Sequence, residues 1–159
     1  MGKTITADTI RIEQLPDDAN IPLELLLMAD PNQEMVLSYI PYCILLAARY
    51  QGEIVGILAM SPETKEKAEV RNVAVAPAFR RRGIARQLLT EACSRASRLG
   101  YTVLQVCTSN ASVDQLKLYQ QFGFELTDVH WNYFTEQYPE PIIENGILCR
   151  HRMVLSRLL

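Results

Sequence analysis

The chain has 159 residues, of which 48% are apolar and 21% charged, and its formal net charge is −2. This length and composition predict one globular domain, residues 1–159, with a single sizeable core. The net charge argues against a general nucleic-acid binder, and no apolar run reaches the roughly 18–20 residues of a membrane helix. The N-terminus lacks a signal-peptide pattern, so a soluble cytoplasmic protein is expected.

The cysteines and histidines form no metal-binding pattern. No CxxC pair occurs, and the two histidines are His130 and His151. Structural zinc sites use Cys and His ligands in closely spaced pairs, and this chain has no such pair. No metal is therefore expected. The four cysteines each lie in an apolar context and are predicted to be buried free thiols, a set made of Cys43, Cys93, Cys107 and Cys149.

The first half of the chain predicts strands around two short helices. Loose alternation over residues 5–14 indicates a first strand, and an apolar helix follows Pro22 and runs to about Ala29. Gln33–Tyr39 is predicted as a second helix that ends before Pro41. Three strands follow, at Cys43–Tyr50, Glu53–Met60 and Lys67–Val75.

The second half contains the clearest helix of the chain. Apolar residues recur at helical spacing and Gly100 occupies a C-terminal cap position, the apolar set being Ile84, Ala85, Leu88, Leu89, Ala92, Ala96 and Leu99. A buried strand is predicted at Tyr101–Cys107. A second helix is expected over Ser112–Phe122, because Ser112 and Gln115 have capping-box spacing. Two last strands, Phe124–Phe134 and Ile147–Leu158, are expected around a long loop. This order of elements predicts an α/β domain with a mixed sheet and helices on both faces.

The segment between the fourth strand and the long helix predicts an anion site. Arg80, Arg81 and Arg82 are consecutive, and Gly83 follows directly before the helix. A helix N-terminus presents unpaired N–H groups and a positive dipole end. Gly83 lets the backbone approach a ligand, and arginines suit phosphate oxygens. Together these features favour a bound diphosphate. The alternatives are a solvated arginine run and a nucleic-acid-binding domain, which would need a wider basic surface.

Three signatures in this region resemble the GNAT superfamily of acyl-CoA-dependent N-acyltransferases. Arg80-x-x-Gly83-x-Ala85 is similar to its Q/R-x-x-G-x-G/A motif. Residues 68–75 resemble the family's fourth strand, and Asn110 followed by the LYQQFGF stretch at 118–124 resembles its next signature. The resemblance covers residues 68–124 in motifs and 5–158 in element order. It implies a GNAT fold, an α/β domain whose mixed, mostly antiparallel, splayed sheet has about seven strands with about four helices on both faces.

The resemblance also implies how acetyl-CoA would bind. Val73 and Val75 would pair through their main chain with the pantetheine arm, and an amide near Val73 or Ala74 could polarise the thioester carbonyl. Asn110 would bind pantetheine, unless it only caps the next helix. Tyr119 would lie near the thioester sulfur, unless it is an ordinary core residue. The pyrophosphate would be held after Arg80 by the backbone amides of Arg81, Arg82, Gly83, Ile84, Ala85 and Arg86.

Two further roles follow from the chemistry of acyl transfer to an amine. Tyr119 could protonate or hydrogen-bond the leaving thiolate. Glu69 matches a position where some family members carry a catalytic glutamate. It lies roughly 13 Å along the strand from Val73, with both side chains expected on one face, so a water relay would be needed. A solvated strand-edge glutamate is the alternative, and His130 and Glu144 are further candidate bases.

The expected activity is acetyl transfer from acetyl-CoA to a primary amine by direct attack in a ternary complex. Cys107 is expected in the core, so no covalent intermediate is required. Acidic residues beside the expected acceptor cleft favour a small cationic amine, namely Asp30, Glu34, Glu136, Glu140 and Glu144. One alternative is a peptide α-amine acceptor, because residues 130–134 resemble a strand of such enzymes, although Phe134 replaces one of their paired tyrosines. A non-catalytic acetyl-CoA sensor is another. No nucleic-acid or membrane partner is expected. A homodimer that forms through the last strands is expected.

Overall fold

The computed structural model describes residues 9–159 and shows nine strands and five α-helices in that range. The strands are β1 (Arg11–Gln14), β2 (Ile44–Tyr50), β3 (Glu53–Pro62), β4 (Lys67–Val75), β5 (Val103–Ser109), β6 (Glu125–His130), β7 (Ile143–Glu144), β8 (Ile147–Leu148) and β9 (Arg152–Leu158). The helices are α1 (Leu23–Ala29), α2 (Gln33–Tyr39), α3 (Ile84–Arg98), α4 (Val113–Gln121) and α5 (Tyr133–Gln137). The first part of the predicted first strand, residues 5–8, lies outside the described range.

The main sheet has seven strands in the order β1-β2-β3-β4-β5-β9-β6. Every neighbouring pair is antiparallel except β4 and β5, which run parallel. Strands β7 and β8 form a separate two-stranded hairpin. This arrangement confirms the predicted mixed, mostly antiparallel sheet of seven strands. The helix count is five rather than about four because α5 was not expected.

Apolar side chains cover both faces of the sheet, as the order of elements predicts. The side chains of β3 alternate, so that Leu58 packs with α3 and α4 on one face. Ile57 packs with α1 and α2 on the other. On the α3 side the core includes the fully buried Leu88 and Leu104. Helices α1 and α2 are short, and their buried faces hold them on the sheet, since isolated helices of this length are marginal in water.

The sheet splits open between β4 and β5. Their pairing runs from Lys67–Val103 to Val70–Val106 and stops there, although both strands continue. At the same point β4 contains a β-bulge, because Ala59 of β3 pairs with Asn72 while the next residue pairs with Val70, leaving Arg71 as the extra residue. A bulge bends its strand and ends regular pairing. The bulge therefore accounts for the splayed sheet.

The bulge also reverses the expected side-chain alternation along β4. Glu69 lines a cleft on the face of α1 and α2, whereas Val73 packs with the cluster on the face of α3. The expectation that both side chains share one face is therefore wrong. An inserted residue shifts a period-two pattern by one place, and nothing in the local sequence announces it.

Several local predictions are corrected. Leu99 is 59% exposed rather than on the buried face of α3. Ser112 makes no capping bond at the start of α4, because its hydroxyl contacts other side chains. The predicted strand at Phe124–Phe134 ends at His130, and Asn132 with φ of +59° begins α5. Of the four free cysteines, only Cys149 is fully buried, and the others are partly exposed.

The end of the chain is arranged so that β9 lies inside the sheet, between β5 and β6. Strand β6 forms one edge, and of the two last strands it alone could pair across a dimer edge. Within residues 9–159, no helix combines the length and apolar character that crossing a membrane requires.

Candidate functional site

A narrow opening, here called the slot, lies where β4 and β5 separate. Its walls come from both strands and from α4, and they include Val70, Val73, Val106, Thr108, Gln115 and Tyr119. Asn72 also lines the slot and is 4% exposed. Its amide nitrogen donates to Leu26 O and to the Tyr39 hydroxyl, at 2.9 and 3.0 Å, but its Oδ1 has no partner among the described residues. An unpaired buried acceptor therefore lies beside the slot, which is uncommon in folded proteins.

The backbone of β4 offers hydrogen-bonding groups to the slot at alternate residues. Ala76 N donates to Val55 O of β3 at 2.8 Å, so the backbone groups of Ala76 and Ala74 point towards β3. Val73 and Val75 point theirs to the opposite side, because alternate residues of a strand face opposite neighbours. Arg80 Nε donates to Val75 O at 3.0 Å. Of the two expected polarising amides, the geometry favours that of Val73.

The start of α3 lies beyond the end of β4 and is open to solvent. Gly83 is its N-terminal cap residue, with φ of +78° and no side-chain cap. A Cβ placed on Gly83 would meet no atom within 4 Å, so the left-handed backbone favours glycine and the space beside it is free. Arg81 and Arg82 are exposed on the same turn. Uncapped N–H groups, an open approach and guanidinium groups fit a diphosphate.

Tyr119 projects from α4 into the slot and is 3% exposed. Its ring packs edge-on against Phe124, with 5.9 Å between centroids. The hydroxyl makes no hydrogen bond to any described residue. Burial raises the pKa of Tyr119 above its ordinary value, so the hydroxyl keeps its proton at neutral pH. A protonated, unbonded donor therefore faces the slot.

The side chain of Asn110 binds the protein's own backbone. Its Oδ1 accepts from Arg150 N and His151 N at 2.8 and 3.0 Å, and its Nδ2 donates to Leu148 O at 3.2 Å. These bonds fix the segment between β8 and β9, and they give no support to the capping alternative. A pantetheine contact by Asn110 stays a prediction.

A second cavity, here called the inner cleft, lies beside the slot on the face of α1 and α2. Its own walls include Asp30, Tyr39, Glu69, Tyr133, Tyr138 and Arg152. The inner cleft and the slot meet at a shared wall made of Ala29, Val70, Arg71, Cys107, Thr108, Ser112 and Glu144. The two cavities are therefore adjacent and share these side chains.

Glu69 lies in the inner cleft between two arginines. It is 2% exposed, so the alternative of a solvated strand-edge glutamate is wrong. Arg152 Nη2 donates to Oε1 at 2.5 Å and Arg71 Nη1 to Oε2 at 3.4 Å. The two guanidinium groups also lie over tyrosine rings, Arg71 over Tyr39 at 4.9 Å and Arg152 over Tyr133 at 5.2 Å.

Cys107 was expected to be a core residue. It instead contributes to the shared wall of the two cavities. Its thiol donates to Glu69 Oε1 at 3.3 Å. Burial raises the pKa of the Cys107 thiol to about 12, so the thiolate is not available as a nucleophile at neutral pH. The structure thus gives no support to a covalent acyl-cysteine.

The expected acidic residues divide between the two cavities and the surrounding surface. Asp30 accepts from the Tyr138 hydroxyl at 3.2 Å, and Glu144 accepts from Ser112 Oγ at 2.8 Å. Burial raises the pKa of Asp30. Glu34 and Glu140 line a neighbouring outer groove, while Glu136 lines neither cavity.

Comparison with known proteins decides the family. Residues 11–124 match the family described as Acetyltransferase (GNAT). The chain belongs to the GNAT family. A GNAT acetyltransferase from Elizabethkingia anophelis with acetyl-CoA bound has a TM-score of 0.92 at 40% identity, covering 96% of this chain and 99% of that one. A Bacillus subtilis acetyltransferase in complex with CoA has a TM-score of 0.88 at 32% identity, covering 94% and 99%.

A curated relative supports the same conclusion. The uncharacterised N-acetyltransferase YvbK of Bacillus subtilis is 34% identical over 142 residues, which cover 89% of this chain and 91% of YvbK. This GNAT protein is therefore an acyl-CoA-dependent acetyltransferase with acetyl-CoA as co-substrate. Within residues 9–159, no group of three or more His, Cys, Asp or Glu side chains is placed to hold a metal ion.

Two arginines of the GNAT site were missed by sequence reasoning. Neither Arg71 nor Arg152 was singled out. Arg71 lies inside the predicted strand Lys67–Val75, where a charged residue is uncommon unless it is paired, and that signal could have marked it. Arg152 begins β9 next to other polar residues, so its pairing with Glu69 could not be read from the sequence. His130 lies outside the wall of the inner cleft, with its Nδ1 3.4 Å from Arg152 Nη1.

Proposed function

We propose that this GNAT enzyme transfers the acetyl group of acetyl-CoA to the primary amine of a small molecule, by direct attack in a ternary complex. The observation that carries the proposal is the unbonded, protonated hydroxyl of Tyr119, which faces the slot. A sensor that only binds acetyl-CoA needs no such donor there. The neutral Cys107 thiol supports direct attack over a covalent route.

The residues of the slot would act as follows. Amides after Arg80, on the turn at Gly83, would hold the diphosphate, and the main chain of Val73 and Val75 would pair with the pantetheine arm. The Val73 amide would donate to the carbonyl oxygen as negative charge develops on it. The Tyr119 hydroxyl would donate its proton to the departing sulfur. Acetyl-CoA itself supplies the activated acyl group.

Two carboxylates compete for the role of base. Glu69 remains a candidate, but both of its oxygens are bonded to arginines, so both are already engaged when an amine arrives. Glu144 belongs to the wall that the two cavities share. Its Oε2 accepts from Ser112, the Cys149 thiol lies close to the carboxylate, and neither oxygen is paired with an arginine or lysine among the described residues. The geometry therefore favours Glu144 for taking the proton and Glu69 for positioning the arginines.

The acceptor is proposed to be a small amine that enters as a cation. Asp30 and Glu144 line the inner cleft and can receive an ammonium group. The bond between the Tyr138 hydroxyl and Asp30 joins α5 to the end of α1, and such a bridge over the cleft favours a small molecule over an extended peptide. The segment that suggested a peptide acceptor leaves the strand at His130 and enters α5, so most of it does not lie on a strand.

A thiol-release assay tests the proposal. The enzyme is given acetyl-CoA with amines, amino acids and peptides, and free CoA is measured over time. We expect turnover with at least one small amine, and a mass increase of one acetyl group on that amine. Tight binding of acetyl-CoA with no turnover on any acceptor would instead support the sensor. Preferred acetylation of peptide α-amines would support the peptide alternative.

The candidate bases are separated by their pH profiles. Glu144→Gln should lower kcat most at neutral pH and recover part of it at higher pH, where the amine loses its proton unaided. Glu69→Gln should act mainly on acceptor KM, through the arginines that it holds. The reverse pattern would return the role of base to Glu69.

A further inference from the structure

The inner cleft carries two arginines in addition to the acidic residues from which a cationic acceptor was predicted. Arg71 and Arg152 both line it, and their side chains retain 30% and 21% of their accessible surface. Both bind the same carboxylate, that of Glu69. Within the wall of the cleft, one carboxylate therefore lies between two guanidinium groups.

Most N–H donors of the two guanidinium groups have no partner among residues 9–159. An arginine carries five N–H donors. Arg71 uses one N–H donor, which bonds Glu69. Arg152 uses one N–H donor to Glu69, and a second lies 3.4 Å from His130 Nδ1. The tyrosine rings beneath them hold the guanidinium planes in place. Fixed planar donors with spare N–H groups match a carboxylate, which can accept two parallel bonds.

Neighbouring anions were considered as competing partners. Glu63 lies near Glu69 and both arginines, but it is exposed and does not line the inner cleft. Asp30 interacts electrostatically with Arg71 and accepts a hydrogen bond from the Tyr138 hydroxyl. Neither makes an ion pair with Arg71 or Arg152 within 4 Å among the described residues. The spare donors therefore remain open to a ligand.

We infer that the acceptor is an amine that also carries a carboxylate, such as an amino acid, with the carboxylate bound by Arg71 and Arg152. This inference rests on the proposed function and names its substrate class. The amine would lie where Asp30 and Glu144 can receive its charge. Glu144, like Arg71, lines both cavities, so an amine beside Glu144 would lie next to the slot that is proposed to hold the thioester.

The transfer step balances without any further reactant. The ammonium group first loses a proton to a carboxylate base, proposed above as Glu144. The amine lone pair then forms the N–C bond as the C–S bond breaks, and the sulfur takes the electron pair of that bond. Tyr119 supplies a proton to the sulfur. Of the two protons lost by the nitrogen, one replaces the proton given by Tyr119 and the other is released to solvent. The products are an N-acetylated acid and the free thiol.

Matched substrates test the inference without changing the protein. Leucine, phenylalanine and lysine are compared with 3-methylbutylamine, 2-phenylethylamine and cadaverine, which lack only the carboxylate. We expect kcat/KM to be at least about 10-fold higher for the carboxylated member of a pair, as one charged hydrogen bond implies. Equal or faster turnover of the amines would overturn the inference while the proposed function stands. No turnover of any amine, amino acid or peptide would overturn both.

A pair of variants tests the residues themselves. Arg71→Gln is preferred, because Glu69 keeps its 2.5 Å bond to Arg152 and the fold is disturbed least. We expect a 10- to 100-fold rise in KM for the amino acid, an unchanged KM for acetyl-CoA and little change for the matched amine. Arg71→Lys should restore only part of the affinity, since lysine lacks the planar fork.

Controls separate substrate binding from structural damage. Arg98→Gln removes an arginine that is 66% exposed on α3, and it should leave both substrates unaffected. If Arg71→Gln weakens the amino acid and the matched amine by the same factor, Arg71 has only a structural role and the inference fails. If Arg71→Gln does not fold, the comparison of carboxylated and decarboxylated substrates with the unchanged enzyme decides whether the inference holds.

Discussion

Replacing Tyr119 with phenylalanine isolates one hydroxyl group of the slot. The hydroxyl has no hydrogen-bond partner among the described residues, and the ring is held by Phe124. Its removal therefore leaves no orphaned donor or acceptor, and the melting temperature should stay the same. If Tyr119 protonates the leaving sulfur, the rate of acetyl transfer should fall about 10²-fold or more. This loss corresponds to about 2.7 kcal/mol of transition-state stabilisation.

The assay must separate chemistry from binding. Single-turnover acetyl transfer is measured alongside acetyl-CoA affinity by calorimetry, and we expect the rate to fall while the affinity is unchanged. That pattern marks an interaction made chiefly in the transition state. Tyr42→Phe is the control, since Tyr42 is 76% exposed and outside both cavities. An unchanged single-turnover rate in Tyr119→Phe would remove Tyr119 from the mechanism.

Three further predictions concern ligand binding and stability. Acetyl-CoA at about 100 times its Kd should raise the free energy of unfolding by about 2.7 kcal/mol, seen as a thermal shift that phosphate and ATP do not match; no shift at millimolar acetyl-CoA would contradict the slot assignment. Gly83→Glu should abolish acetyl-CoA binding in a folded protein, whereas Gly83→Asn, which tolerates the same positive φ, should retain more of it; equal binding by both would place the diphosphate elsewhere. Burial raises the pKa of Asp30 above 3.8, so ionising Asp30 destabilises the fold as pH rises through that raised value. Asp30→Asn should therefore melt at a higher temperature at pH 7 yet bind the acceptor more weakly, and its stability advantage should vanish below about pH 4.

The sequence predicted best those elements that local signals define. The bounds of α2 and β4 match the prediction because Pro41 and Pro77 follow them closely and their apolar patterns are clear. The β7–β8 hairpin was missed, although Asn145-Gly146 at its turn is a strong hairpin signal. Both residues have positive φ. Here the information was present in the sequence and was passed over inside a long loop.

Other features depend on contacts between distant residues and could not be read locally. Ser112 has the spacing of a capping box, but its hydroxyl bonds Glu144 from the β7–β8 hairpin. Asn110 matches a family position for ligand binding, yet its side chain is used to hold the segment before β9. In both cases a tertiary partner outweighs a local preference.

The single extra residue in β4 ties the two cavities together. Because Arg71 is the bulged residue, pairing with β5 ends immediately before it, and the slot opens there. Arg71 lies two residues after Glu69 and shares its face, so it lines the inner cleft beside Tyr39. Beyond the extra residue the alternation is shifted by one place, and Val73 packs on the face of α3. A regular β4 could continue to pair with β5 and would keep Val73 on the face of Glu69. One irregularity of the backbone thus opens the path for the acyl donor directly beside a cation of the acceptor site. This is why the donor and acceptor cavities meet at Val70 and Arg71 rather than elsewhere along the strand.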